Sequence, residues 1–426
     1  MSNARSGMLI FSRLESYSWK DQVTRINESV PQFRAGIRAP NLDSATRIHF
    51  IHARSIQVNA VPLLLIPPFP FTNLSVSHLI ESLVDPADEQ NEQAFHLIIP
   101  SLPGLGFSDA LPNNVDMVAT TAQLLDSLMQ RLDYTRYIVS TAGPAAETPC
   151  ELDWRIADYL ATFYFDSCCG ANLISPPMEA PKLQDSLMSW VKWKIASTSR
   201  SSILGYQQQD FVSLERTKRR NDTNAKLHGA QNSLKRRNHW KCWDPTTLSY
   251  ALCDSPAGLV LFMVSFLQAW APHKEPTPQE IITMTILSWL PGPEAALRFW
   301  SHSTSYVEPP KQQKQRRKQR HKPKVAITVF MGNEYAHEGS HSMNVAGPVL
   351  IETPYSCPAW ASSRYTTTDT LRVEGKPGLL AWERPDVIAK GVRALSKSIL
   401  TKDPRLRANL QLQEIVALER VAVGQD

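Results

Sequence analysis

At 426 residues and 42% hydrophobic content, the chain can bury one large core with an inserted cap or form two ordinary domains, which excludes a disordered or fibrous protein. The formal net charge of +5 is concentrated in two short basic runs, so the overall balance does not point to a nucleic-acid partner. Six cysteines with no CxxC pair and no His/Cys cluster at ligand spacing argue for reduced thiols, with no metal site and no cofactor expected.

The first twenty residues hold only the short apolar run MLIF, too brief for a signal-peptide core and far too brief for a bilayer span, so a cytoplasmic protein with no membrane span is expected. Ile48 to Ala53 alternates like a strand. Val61 to Ile66, VPLLLI, is continuously apolar and bounded by prolines, as a strand buried on both faces of a parallel sheet should be. It runs into PPFPFTN, Pro67 to Asn73, then a helical segment, Ser77 to Val84, and another buried strand, Phe95 to Ile99. That strand leads into PSLPGLGFSD, Pro100 to Asp109, which completes a βαβ pattern. YIVSTAGPAA, Tyr137 to Ala146, reads as a buried strand, a sharp turn and a helix start, with Thr141 and Ala145 as the small residues that flank Gly143 at the apex.

A resemblance to a known family, carried by motifs along the whole chain, implies a lead-in at 1–60, a first core part at 61–180, a helical cap at 181–308, a basic linker at 309–324 and a second core part at 325–426. Trp190, Trp193, Tyr206, Trp289 and Trp300 are candidates to line a cap cavity. Within the cap, 210–241 is polar and basic without apolar periodicity, which predicts a surface loop or retained non-coding sequence. Strand Val325 to Phe330 and a final helix from Asp386 to Leu400 close the fold. The basic runs are read as solvated linkers, with nucleic-acid binding the weaker reading.

RIHFIHARS, the proline-rich turn, FHLIIPSLPGLGFSD, TTLSYALCDSPAGLV, TPQEIITMTILSWLPGPEAALRFW and LLAWERPDVI, in that order, resemble the microsomal-type epoxide hydrolases, in particular a fungal branch of that family. The resemblance implies an α/β-hydrolase fold, a mostly parallel sheet flanked by helices with an inserted helical cap. It also implies a small apolar epoxide or related reactive molecule as substrate, a setting in fungal secondary metabolism, and a mechanism in which a carboxylate attacks the epoxide and a His-acid pair hydrolyses the ester.

Carried over residue by residue, the resemblance implies a degenerate site. The family's GGDWG falls on Thr141 to Ala145, which puts Gly143 at the nucleophile position with no side chain. Ser140 and Thr141 are the nearest hydroxyls, though either at the apex would place Ile138 or Val139 where a small residue is required. HGWPGS falls on Pro67 to Thr72, where added prolines remove backbone donors, so that Pro68, Phe69 and Phe71 read as pocket wall together with Ser140, Thr141 and Trp300. The family's base histidine, counted back from AWERP, falls on Gly378. Glu334 is the candidate acid after Val325 to Phe330, Tyr206 matches one cap tyrosine, and Trp300 stands where the other is expected. The alternative is a catalytically inactive binding or accessory protein.

Overall fold

The computed structural model describes residues 17–143, 151–183, 186–218, 245–270, 276–304, 316, 321–332 and 355–407. A helix, α1 (Trp19–Ser29), leads into an eight-stranded sheet of order β1-β2-β4-β3-β5-β6-β7-β8. The strands are β1 (Gln32–Ile37), β2 (Thr46–Ala53), β3 (Val61–Ile66), β4 (Phe95–Pro100), β5 (Tyr137–Thr141), β6 (Cys168–Ile174), β7 (Lys324–Phe330) and β8 (Thr366–Val373). β1 and β2 pair antiparallel, as do β2 and β4, and every later pair is parallel. The apolar run VPLLLI and the segment YIVST, which ends in two small hydroxyl residues, become the central strands β3 and β5, buried at every residue. The Ser77 to Val84 expectation becomes a 3-10 turn, Asn73–Leu79, followed by α2 (Ile80–Val84).

Helices cover both faces. One core cluster packs α3 (Met117–Arg131) and α4 (Glu151–Phe163) against the sheet together with cap residues, and the other places α12 (Pro385–Lys402) on the opposite face. The predicted final helix is therefore present and slightly longer at each end. Crossovers of this kind, with helices over a parallel sheet, form the α/β-hydrolase architecture expected from the sequence.

Between β6 and β7 the described residues form α5 (Leu187–Ser199), α6 (208–218), α7 (Pro245–Asp254), α8 (Pro256–Trp270), α9 (Pro278–Trp289) and α10 (Pro293–Thr304), the segment expected to serve as a cap. Thr277 and Glu280 form a full capping box at the start of α9, with Pro278 at the first helical position. Gly104, at φ +81, lets α10 approach the β4 loop closely, since a Cβ there would lie 2.9 Å from Ala295 Cβ.

Two expectations about basic segments are corrected. Residues 210–218 of the expected loop are helical, and Asp210 is fully buried. Its carboxylate accepts from Arg372 Nε and Nη2 on β8 at 2.9 and 3.0 Å, from the Tyr355 hydroxyl at 2.5 Å and from Gln207 N at 2.8 Å. A polar segment without apolar periodicity still packs when its buried charge is paired in this way; 219–241 lies outside the described residues. Arg316 in the linker is likewise ion-paired: with Arg364 and the Tyr365 hydroxyl it encloses Asp158 on α4.

Candidate active site

The sheet delivers three loops to one end: the turn after β3, the turn after β5 and the segment after β8. β3 and β5 are neighbours, and Ala142 N donates to Ile66 O at 3.0 Å, so the first two leave the sheet side by side. β8 lies beyond β6 and β7 from β5, about 14 Å away at the usual strand spacing of ~4.8 Å. The segment after β8 nevertheless crosses back: Leu379 packs in one cluster with Phe71 of the β3 turn, and the Trp382 ring lies 5.3 Å from the Phe71 ring, edge to face. All three therefore converge above β3 and β5.

The β3 turn, Pro67 to Thr72, is more than an apolar wall. Phe69 keeps its backbone donor, and that N–H lies 3.2 Å from each carboxylate oxygen of Asp153. Asp153 is fully buried in the first turn of α4, a position where the helix dipole favours an anion. Phe71 N closes the turn on Pro68 O at 2.9 Å, and the Phe69–Pro70 peptide is cis. A carboxylate therefore meets the backbone of the β3 turn, although Gly143 itself carries none. Gly143 is buried at the end of β5, residues 144–150 lie outside the described residues, and the carboxylate that reaches the β3 turn is Asp153, on α4. The signal was present in the dipeptide Asp153-Trp154, which repeats the Asp-Trp of GGDWG at the head of an apolar-striped helix; counting from the strand end passed over it.

Ser140 and Thr141 lie within β5 itself, fully buried, and not at an apex. Ser140 Oγ donates to Thr141 O at 3.0 Å and accepts from Asn172 Nδ2 at 3.0 Å, which ties the hydroxyl into the sheet. Neither is placed to act as a nucleophile.

The cap supplies an apolar roof. On α10, Phe299 and Trp300 stand 6.2 and 6.5 Å from the Phe69 ring. Tyr206 belongs to the same buried cluster and stacks with Trp193 at 5.5 Å and Phe211 at 6.0 Å. Burial, reinforced by Cys357 and Asp210, pushes the Tyr206 phenol well above its ordinary value, so it is protonated at neutral pH. Asp210, three residues into α6, reaches back to Gln207 N and so fixes the turn that presents Tyr206.

The base position differs. Gly378 has φ +59, and a Cβ on it would sit 2.0 Å from Glu383 Oε2 and 2.7 Å from Glu383 Cδ. A histidine side chain has no room to leave this residue unless Glu383 moves. Glu334 lies outside the described residues, and these contain no group of three or more His, Cys, Asp or Glu side chains that could hold a metal ion.

Residues 8–76 match the family profile "Epoxide hydrolase N terminus". The chain is 28% identical over 300 residues to a putative epoxide hydrolase of Stigmatella aurantiaca, covering 68% of this chain and 58% of that protein. It is 25% identical over 315 residues to epoxide hydrolase 1 of Oryctolagus cuniculus, covering 68% and 61%. The chain is thus similar to epoxide hydrolases over about two thirds of its length. Two solved structures share its fold: juvenile hormone epoxide hydrolase of Bombyx mori, with a TM-score of 0.65, 20% identity and coverage of 94% and 86%, and the Aspergillus niger epoxide hydrolase, with 0.62, 18%, 93% and 85%. The chain spans between about a half and three-fifths of the length of the curated family members it first matches.

Proposed function

We propose that this chain opens a small apolar epoxide by attack of the Asp153 carboxylate. The observation that carries this reading is the pair of 3.2 Å contacts from Phe69 N–H to the fully buried Asp153 carboxylate, roofed by Phe299 and Trp300. In this reaction a carboxylate oxygen of Asp153 forms a bond to an epoxide carbon while the carbon–oxygen bond of the ring breaks. The departing oxygen takes a proton from a donor such as the Tyr206 hydroxyl, leaving a hydroxyalkyl ester on the protein. Water then attacks the ester carbonyl, the diol leaves, and the proton remaining on the Asp153 carboxyl passes to the donor's phenolate, which restores both the carboxylate and the hydroxyl. Phe69 N–H is placed to stabilise the anion that develops on the ester carbonyl during that second step.

A second reading, a binding or accessory protein without turnover, draws on Gly378, which leaves the family's base position without an imidazole. A setting in fungal secondary metabolism draws on the motifs shared with the fungal branch and on 26% identity over 110 residues to a putative epoxide hydrolase of Alternaria alternata. A cytoplasmic location draws on the described helices, none of which alone is long and apolar enough to cross a membrane.

Incubation with styrene oxide and 1,2-epoxyoctane, followed by acid quench and intact mass, tests the catalytic reading. One added substrate mass, mapped to the peptide that holds Asp153 and absent from Asp153→Asn, is the expected result. Folded protein that never gains mass with either epoxide, and never produces diol, favours the binding reading.

A further inference from the structure

The base position is empty of imidazole but not of chemistry. Because the ideal Cβ of residue 378 would stand 2.0 Å from Glu383 Oε2 and 3.2 Å from Oε1, the Glu383 carboxylate fills the volume in which a side chain at 378 would begin. Only glycine permits this, both through its missing Cβ and through its left-handed φ of +59. Glu383 ends a short helix, α11 (Leu380–Glu383), whose residues Ala381 and Trp382 are held over the β3 turn. A ring nitrogen of His78 bonds the Ala381 carbonyl, and Trp382 packs against Phe71. Phe71 is two residues from Phe69, whose N–H meets Asp153. Glu383 is half-buried, so water can reach it, as a hydrolytic base requires.

We propose that Glu383 is the base of the second half-reaction, taking the place of the family's histidine. This rests on the reading of Asp153 as nucleophile. The carboxylate of Glu383 removes a proton from water as the water oxygen bonds to the ester carbon of Asp153. The tetrahedral intermediate then expels the diol oxygen, and that oxygen takes the proton back from Glu383. Each cycle consumes one water and one epoxide and releases one diol. The first half-reaction needs no base, so Glu383 affects ester breakdown and leaves ester formation alone.

The test follows the ester on Asp153 through time in a quenched-flow mass experiment with styrene oxide, on the full chain and on Glu383→Gln. Glu383→Gln is expected to form the ester at the parental rate and to lose it at least about 100-fold more slowly, the usual contribution of a positioned base. Glu383→Ala, which opens space beside Gly378, is expected to regain ester breakdown when formate is added, a rescue that a merely structural glutamate would not show. Should Glu383→Gln be too unstable to purify, the same formate titration on Glu383→Ala decides the matter. Equal ester lifetimes in the parent and both variants, or a slow Glu383→Ala that formate leaves unchanged, overturn the role of Glu383 while leaving Asp153 standing. A parent that forms no ester overturns both.

Discussion

The β3/β5 side of the site and the β8 side have diverged by different amounts. On the first, the Asp-Trp pair, the backbone donor of Phe69 and an aromatic roof remain together. On the second, Gly378 has φ +59 and the Glu383 carboxylate fills the space in which a side chain there would begin. In the proposed mechanism the two sides serve different half-reactions, alkylation and ester hydrolysis, so the chain is expected to be impaired in turnover before it is impaired in capture of a substrate.

The largest expected effect lies on the first side. Asp153→Asn should reduce epoxide opening by at least about 10³-fold, because an amide oxygen is a poor nucleophile and the Asp153 carboxylate is the one that meets the Phe69 N–H among the described residues. A rate of epoxide consumption measured by gas chromatography and within threefold of the parent would place the nucleophile elsewhere.

Next in size is Asp158→Asn, on the same helix, which separates scaffold from chemistry. Burial pushes the Asp158 carboxyl up, but Arg364 and Arg316 outweigh it and hold it at about 2. Removing that charge leaves two guanidiniums and the Tyr365 hydroxyl around a neutral amide, at a cost of about 3 kcal/mol or more and a fall of several degrees in thermal midpoint. The ester should still form on whatever fraction is folded. The pH dependence has a definite sign: with the folded value depressed, this stabilisation is complete above the ordinary carboxylate value of about 4 and is lost as pH falls toward 2. Thermal melts of parent and Asp158→Asn between pH 6 and pH 2.5 should therefore converge at the acid end.

A smaller effect is expected from Gly378→His, which tests whether the second side was lost by substitution alone. A left-handed backbone and a carboxylate 2.0 Å from the new Cβ make this variant strained, by about 1–3 kcal/mol, and it should not restore fast hydrolysis unless Glu383 is shortened as well. Pairing it with Glu383→Ala and measuring diol release by chromatography sharpens the point. A single Gly378→His variant that turns over faster than the parent would show that the glutamate yields its space readily.

Much of this architecture was legible in the chain. The apolar run VPLLLI and the segment YIVST announced β3 and β5, because a parallel strand covered on both faces need not alternate apolar with polar positions. β8 was not announced: its residues, TTTDTLRV, are partly exposed at the sheet edge and show little apolar patterning. The lead-in strand β1, with exposed Phe33 and Arg34, was silent for the same reason. Gly378 could be singled out by counting along the chain from AWERP, a fixed spacing within one short segment. Asp153 is not reached by counting from the end of β5, since it lies ten residues beyond Gly143 on α4. The burial of Asp210 could not be read from its basic neighbours, since its partner Arg372 is distant in sequence and meets it only through the fold.

The central claim is that Asp153 becomes covalently esterified, and a single turnover in H2(18)O tests it most directly. With protein in excess over styrene oxide, water must attack the ester carbonyl, so one 18O is predicted in the peptide that contains Asp153 while the first diol carries an unlabelled oxygen from the carboxylate. Label in the diol with none in that peptide would mean that water opens the ring directly, and would contradict the account.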